Sequence, residues 1–333
     1  MNGAVIKRMQ AAIVLPSIIL LAGLLLGICT GSTPQSIGDV LAALAGHGDA
    51  DPTVASIVWR IRLPRVAVAG LVGASLSLAG LVFQNLLRNP IAEPYVLGVS
   101  GGAAVGAILG MLLGFAGFPW VTFLAFAGSM ATLFLVLTVA AWRSAGKQDT
   151  LILAGVMINA FCSSIIMFLV SLTQDSRLRN VLFWLMGDLS SVEIDQIWLL
   201  SFVLPPCFML LLPFARSMNL LLMGEEMAAN MGVNVRLTSL VVLAVTSFMV
   251  SATVCHSGLL GFVGLVVPHL CRMLWGPDNR LLMPSCILGG AAYLIFCDLL
   301  ARTLPAHGEM PVGIVTAIIG APLFLFFLVR SRR

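Results

Sequence analysis

Lysine is nearly absent from this 333-residue chain, which has it only at Lys7 and Lys147. Neither stands in the glycine-rich Gly-Lys-Ser/Thr setting that cradles nucleotide phosphates, so the chain is not itself a P-loop ATPase. Charge of either sign is scarce. The 18 basic and 14 acidic residues make up 10% of the sequence, against about 25% in a soluble domain that must wet its surface. With 59% hydrophobic residues and a mean hydropathy of +1.05, the solvent is a bilayer, and soluble-enzyme readings fall away. The net charge of +4 is small and dispersed, with no block of like charges to track a phosphate backbone, which excludes a nucleic-acid partner.

Metal-ligand spacing is also missing. The seven cysteines, Cys29, Cys162, Cys207, Cys255, Cys271, Cys286 and Cys297, are scattered and read as small buried hydrophobes. The four histidines, His47, His256, His269 and His307, form no ligand pair, and His269 reads as helix-end packing. The 16 methionines are spread through apolar runs like core gap-fillers. No metal or cofactor is expected. Met1 to Thr30 sets Lys7 and Arg8 before a long apolar run, but without a convincing small-residue cleavage site it reads as a retained first span.

What is present is a series of long stretches without ionisable side chains. A bilayer core needs about 20 apolar residues per helix. The gaps, with breaks at Gly117-Phe118-Pro119 and near His256-Ser257-Gly258, give ten spans at about 9–30, 66–87, 97–115, 119–141, 150–173, 196–215, 237–256, 259–272, 281–303 and 310–329. The fold class is an all-α polytopic membrane protein, one transmembrane domain over 1–333. The glycines between Gly98 and Gly114 fit close helix packing.

Ten spans place both termini on one side, and the positive-inside rule makes that side the cytoplasm. Lys7, Arg8, Arg88, Arg143, Lys147, Arg216, Arg236, Arg272, Arg280, Arg330, Arg332 and Arg333 then lie inside, and Arg60, Arg62, Arg65, Arg177, Arg179 and Arg302 stand outside. Arginine grips carboxylates bidentately, so this outer excess points to an acidic partner unless local pairing accounts for it. Pairing suffices for Asp298 and Arg302, one helical turn apart, and for Arg177 and Arg179, which share their side with Asp175, Asp188, Glu193, Asp195 and Glu309. The Arg60-Ile61-Arg62-Leu63-Pro64-Arg65 cluster has no acid nearer in sequence than Asp51, and there docking is the better reading.

On the inner side, residues 218–236 form the most polar interruption. Gly224 and Gly232 punctuate it, and Glu225-Glu226 favours a helix start. It reads equally as an interfacial connector or as short helices offered to a soluble partner, approached closely at Ala228 and Gly232. No acid or base sits at a span centre except Asp298, near an end, so an internal coupling ion lacks an obvious site.

Several long motifs in order give the chain a family resemblance. They are Arg62-Leu63-Pro64-Arg65, GLVFQNLLRNPIAEPYVLGVSGGAAVG from Gly80, LILAGV from Leu151, GEEMAANMGV from Gly224, GFVGLVVPHLCR from Gly261 and EMPVGIVTAIIGAPLF from Glu309. From Trp59 to Leu328 the chain resembles the permease subunit of iron-siderophore, haem and vitamin B12 ABC importers, the FecCD-type transport permeases. The resemblance implies the type II ABC importer architecture, a homodimer with a second copy of the permease, a cytoplasmic ABC ATPase dimer that alone hydrolyses ATP, and an extracytoplasmic substrate-binding protein. It implies an inner-membrane location and alternating access driven by ATP.

Residue by residue, the resemblance assigns binding-protein docking to Arg62, Arg65 and Arg302, and ATPase coupling to Gly224, Glu225, Ala228 and Gly232. It places a cytoplasmic gate at Asn89, Gln148, Asp149 and Thr150, although family members often carry small hydroxyl residues at the second of these places and Gln148-Asp149 departs from that. Asn159, Ser163, Ser164 and Thr316 are offered as pathway lining, against the plainer reading that membrane Ser and Thr bond to their own helix. Siderophore, haem and corrinoid carriers share these motifs. The competing readings are an ion-coupled secondary transporter and a non-transporting membrane scaffold.

Overall fold

The computed structural model describes residues 3–31, 35–45, 51–115, 117–142, 148–305 and 308–330. His47, Arg143, Lys147, His307, Arg332 and Arg333 lie outside the described residues. Among the described residues the chain forms helices and no strand. That is what long apolar runs dictate, because in lipid each backbone N–H and C=O must be satisfied within its own segment.

In chain order the α-helices are α1 (Gly3–Cys29), α2 (Ile37–Leu44), α3 (Pro52–Ile57), α4 (Leu63–Leu86), α5 (Val99–Leu112), α6 (Trp120–Trp142), α7 (Gln148–Ser171) and α8 (Asp175–Leu185). They continue with α9 (Ile194–Leu211), α10 (Ala215–Leu222), α11 (Glu225–Asn230), α12 (Val235–Ser257), α13 (Val263–Trp275), α14 (Asn279–Thr303) and α15 (Val312–Arg330). One π-helical turn, Val58–Arg62, leads into α4. Seven helices among the described residues are long and apolar enough to cross a membrane, and Val99–Leu112, Val263–Trp275 and Val312–Phe326 are shorter apolar helices. One of α1, α4, α5, α6, α7, α9, α12, α13, α14 and α15 lies over each of the expected span ranges.

The chain divides into two compact units. The first comprises Met1–Leu78, Asp188–Pro206 and Gly261–Arg333. Within it α1 lies along α14, and the Ser285 hydroxyl donates to the Ala12 carbonyl at 2.6 Å. A Cβ at Gly73 of α4 would sit 2.2 Å from the Gly290 carbonyl oxygen of α14. The two glycines therefore set a helix approach that no side chain permits.

The second unit comprises Ala79–Gly187 and Cys207–Leu260. Here α5 and α6 pack through the glycines that the sequence singled out. A Cβ at Gly102 would meet the Gly128 carbonyl oxygen at 2.3 Å, and one at Gly106 the Leu124 carbonyl oxygen at 2.1 Å. The Ser129 hydroxyl donates to that of Ser251 at 2.7 Å, tying α6 to α12. Before α5, the Tyr95 hydroxyl donates to the Leu260 carbonyl at 2.9 Å and accepts from the Leu260 amide at 3.0 Å, pinning the VLGVSGG approach to the segment that follows α12.

Candidate functional site

Arg62, Arg65 and Arg302 converge at one end of the first unit. Arg62 closes the π-helical turn, Arg65 lies on the first turn of α4, and Arg302 lies on the last turn of α14. All three are nearly inaccessible, at 3%, 4% and 4% exposure. Arg62 donates to the carbonyls of Ile28 and Cys29 at 3.0 Å each, and Arg302 to that of Gly27 at 3.3 Å. These are last-turn carbonyls of α1, which have no partner inside their own helix, and cations are favourable there.

The carboxylates come from the far end of the sequence. The Arg65 Nε donates to Asp298 Oδ1 at 2.8 Å, and its Nη1 pairs with Glu309, just ahead of α15. Asp298 also pairs with Arg302 Nε at 3.1 Å. The expected turn-to-turn pair is present, but it is one arm of a network that sequence distance hid: Arg65 has no acid near it in the chain and two beside it in space. Arg65 and Arg302 thus share the two carboxylates, while Arg62 is turned to the α1 carbonyls. The buried Nη2 atoms of Arg65 and Arg302 have no hydrogen-bond partner, and a buried donor left unpaired costs about 1–3 kcal/mol.

Around this network the π-helical turn shows a different face. Trp59 is 49% and Ile61 58% exposed, and Arg60 is exposed beside them. Arg177 and Arg179 lie in the second unit. Arg177 caps α5 through the carbonyls of Met111 and Leu112 at 3.0 and 2.9 Å, and Arg179 lies 5.2 Å over the Phe183 ring.

The element at 218–236 is built from α10, α11 and the start of α12, all in the second unit. Gly224 precedes α11 at φ +122° and Gly232 follows it at φ +84°, positive-φ backbone conformations that favour glycine. A Cβ at either position would meet nothing within 4 Å. Ala228 differs from its expected role: it is fully buried, so it packs α11 inward and does not receive a partner. The outward face is Glu225, Glu226 and the exposed Met223, Met227 and Met231. Glu225 pairs at 3.1 Å with Arg88, which follows α4. Nothing in the sequence points to that pair beyond two charges on the same predicted side.

At the remaining candidates, Asn89 is half-buried and its Oδ1 accepts from the Ile91 amide at 3.1 Å, a turn-forming bond. Gln148 and Asp149 open α7, and their side chains lie outside the described residues; Thr150 is half-buried. Ser163 and Ser164 are exposed and return hydrogen bonds to the carbonyls of Asn159 and Ala160 at 2.9 and 3.2 Å. Thr316 is fully buried and donates to the Gly313 carbonyl at 3.0 Å. Each of these three hydroxyls is thus engaged by its own helix. Asn159 packs against α5 beside Gly101.

The model of the FecCD transport family matches residues 19–330. The hemin transport system permease protein HmuU of Yersinia pestis is 42% identical over 282 residues, covering 83% of this chain and 84% of that protein. The vitamin B12 import system permease protein BtuC of Shigella boydii is 38% identical over 319 residues, covering 95% and 94%. A solved inward-facing structure assigned to the metal-chelate type of ABC transporter superposes with a TM-score of 0.83 at 30% identity, covering 95% of this chain and 97% of that one.

Proposed function

Because this chain belongs to the FecCD transport family and is a permease of the metal-chelate, haem and vitamin B12 ABC importer kind, we propose that it carries a metal chelate or corrinoid into the cytoplasm under the drive of a separate ABC ATPase. Two copies form the passage, each crossing the membrane ten times with both termini in the cytoplasm. Chemistry occurs only in the ATPase. Recognition of the substrate rests mainly with an extracytoplasmic binding protein, which leaves ferric siderophore, haem and cobamide as the substrate classes. The observation that carries this reading is the family match over nearly the whole chain together with the shared fold.

The two ends of the reading fall on residues described above. Trp59, Arg60 and Ile61 form the outer contact patch, of the aromatic and arginine composition that interfaces favour. Behind it Arg62, Arg65 and Arg302 bring three cations to one edge, and the unpartnered Nη2 donors of Arg65 and Arg302 are what an acidic residue of the binding protein would satisfy. On the inner side α10 and α11 seat in the ATPase, with Gly232 allowing close approach. ATP-driven closure of the ATPase dimer would carry those seats with it and rock the helices between two packed states. An ion-coupled carrier is the weaker alternative because Asp298, the acid nearest a span centre, is held by two arginines and is no free relay.

Reconstitution into liposomes with the cognate ATPase and binding protein tests the reading: uptake should need all three proteins and ATP, whereas uptake without the ATPase would refute it. For docking, Arg62→Gln removes a charge that bonds backbone carbonyls of α1 and spares the Arg65–Asp298 pair. It is expected to weaken binding-protein association by about tenfold, a loss of some 1.4 kcal/mol, with ATPase assembly intact. Unchanged association in a pull-down would remove Arg62 from the interface.

A further inference from the structure

A groove of about 250 Å³ opens within the second unit beside α11, and eight of its thirteen lining residues are leucine. Its walls come from the end of α4, from α6, the start of α7, α10 and α12, including Leu86, Leu133, Leu151 and Leu243. Arg88 and Glu225 also line it, paired at 3.1 Å and both substantially exposed. Along α12 the same stripe runs through Leu240, Leu243 and Ser247, and one turn before Leu240 it reaches the exposed Arg236. Ser247 is fully buried and its hydroxyl has no hydrogen-bond partner. An apolar slot lined by one guanidinium, Arg88, with a second, Arg236, one helical turn beyond its α12 wall, has the polarity of an amphiphile.

We propose that this groove binds an anionic glycerophospholipid, one acyl chain lying along the leucines and the phosphate held by Arg88 and Arg236. The volume favours a chain over a bulky chelate, since small-molecule pockets run to about 300–1,000 Å³. Charge favours an anionic headgroup, because basic residues at the edge of membrane helices attract such lipids. The phosphate competes with Glu225 for Arg88, so the lipid loosens the tie between α11 and the loop after α4. The placement of the groove at the cytoplasmic leaflet, and its bearing on coupling, rest on the proposed function; lipid retention is read on the permease alone and can fail independently of it.

The test takes full-length permease stripped of native lipid in detergent, incubates it with phosphatidylglycerol or phosphatidylcholine of matched chains, and weighs the complexes by native mass spectrometry. Phosphatidylglycerol should be retained over phosphatidylcholine by about tenfold, a preference that Arg88→Gln with Arg236→Gln abolishes. Ala244→Trp, which fills the groove, should lower retention of both lipids. Leu240→Asp on the exposed rim should do the same should the tryptophan variant not fold. Glu225→Gln, which removes the competing carboxylate, should raise phosphatidylglycerol retention. Equal retention of the two lipids would overturn the proposal. So would undiminished phosphatidylglycerol binding in the filled or rim variant, or full displacement by inorganic phosphate, since either would mean that surface charge alone holds the headgroup.

Discussion

Asp298→Ala is expected to lower the stability of the first unit by about 3–5 kcal/mol, read as a fall in the thermal midpoint of the purified permease. The carboxylate is fully buried and accepts from Arg65 at 2.8 Å while pairing with Arg302 at 3.1 Å. Its removal leaves Arg302 with only backbone carbonyls for partners, at 4% exposure. Uncompensated buried charge costs far more than the pair contributes. Asp298→Leu combined with Arg302→Leu removes one charge of each sign and leaves Arg65 its Glu309. That double variant should be clearly more stable than the single variants sum to, by about 1–3 kcal/mol in a double-mutant cycle. Additive losses would show that the two side chains do not act as a pair.

Gly232→Trp is expected to cut ATP-driven uptake by about a hundredfold, the equivalent of some 2.7 kcal/mol of lost partner contact. Nothing in the protein's own fold lies within 4 Å of a Cβ there, so the bulk of the indole meets only what approaches from outside. The conformation of φ +84° adds a separate local cost of about 1–2 kcal/mol for an L side chain. Gly232→Asn separates the two effects, because asparagine tolerates left-handed backbone and stays short. It should keep most of the uptake. Equal loss in both variants would assign the effect to backbone strain, and full uptake in both would take the loop out of coupling.

Membrane character and helix placement were legible because lipid leaves the chain one solution: where ionisable residues stop for about twenty positions, the backbone must close on itself. The α5–α6 contact was legible too, since glycine spacing reports helix approach without knowledge of the partner helix. Gly73 against Gly290 was not, because glycines more than two hundred positions apart carry no signal that they face each other. Nearest-acid arithmetic failed for Arg65 for the same reason. Its carboxylates, Asp298 on α14 and Glu309 just ahead of α15, stand far along the chain, and only tertiary packing brings them to the start of α4. Small size alone points Ala228 towards a partner; which way it faces is set by how α11 packs, and that buries it. The Arg88–Glu225 pair joins the loop after α4 to the first residue of α11, and neither periodicity nor spacing links the two. The groove beside it needed five separate helices to be placed before it existed.

Cysteine labelling from one side of the membrane tests most directly whether the permease is clasped by different proteins on opposite faces. Arg60 and Glu226 are both exposed, and of the natural cysteines all are buried except the half-buried Cys29. With Arg60→Cys and Glu226→Cys made separately, a membrane-impermeant maleimide should label the first in spheroplasts and the second only in inverted vesicles. Labelling of both positions from the same side would contradict the account.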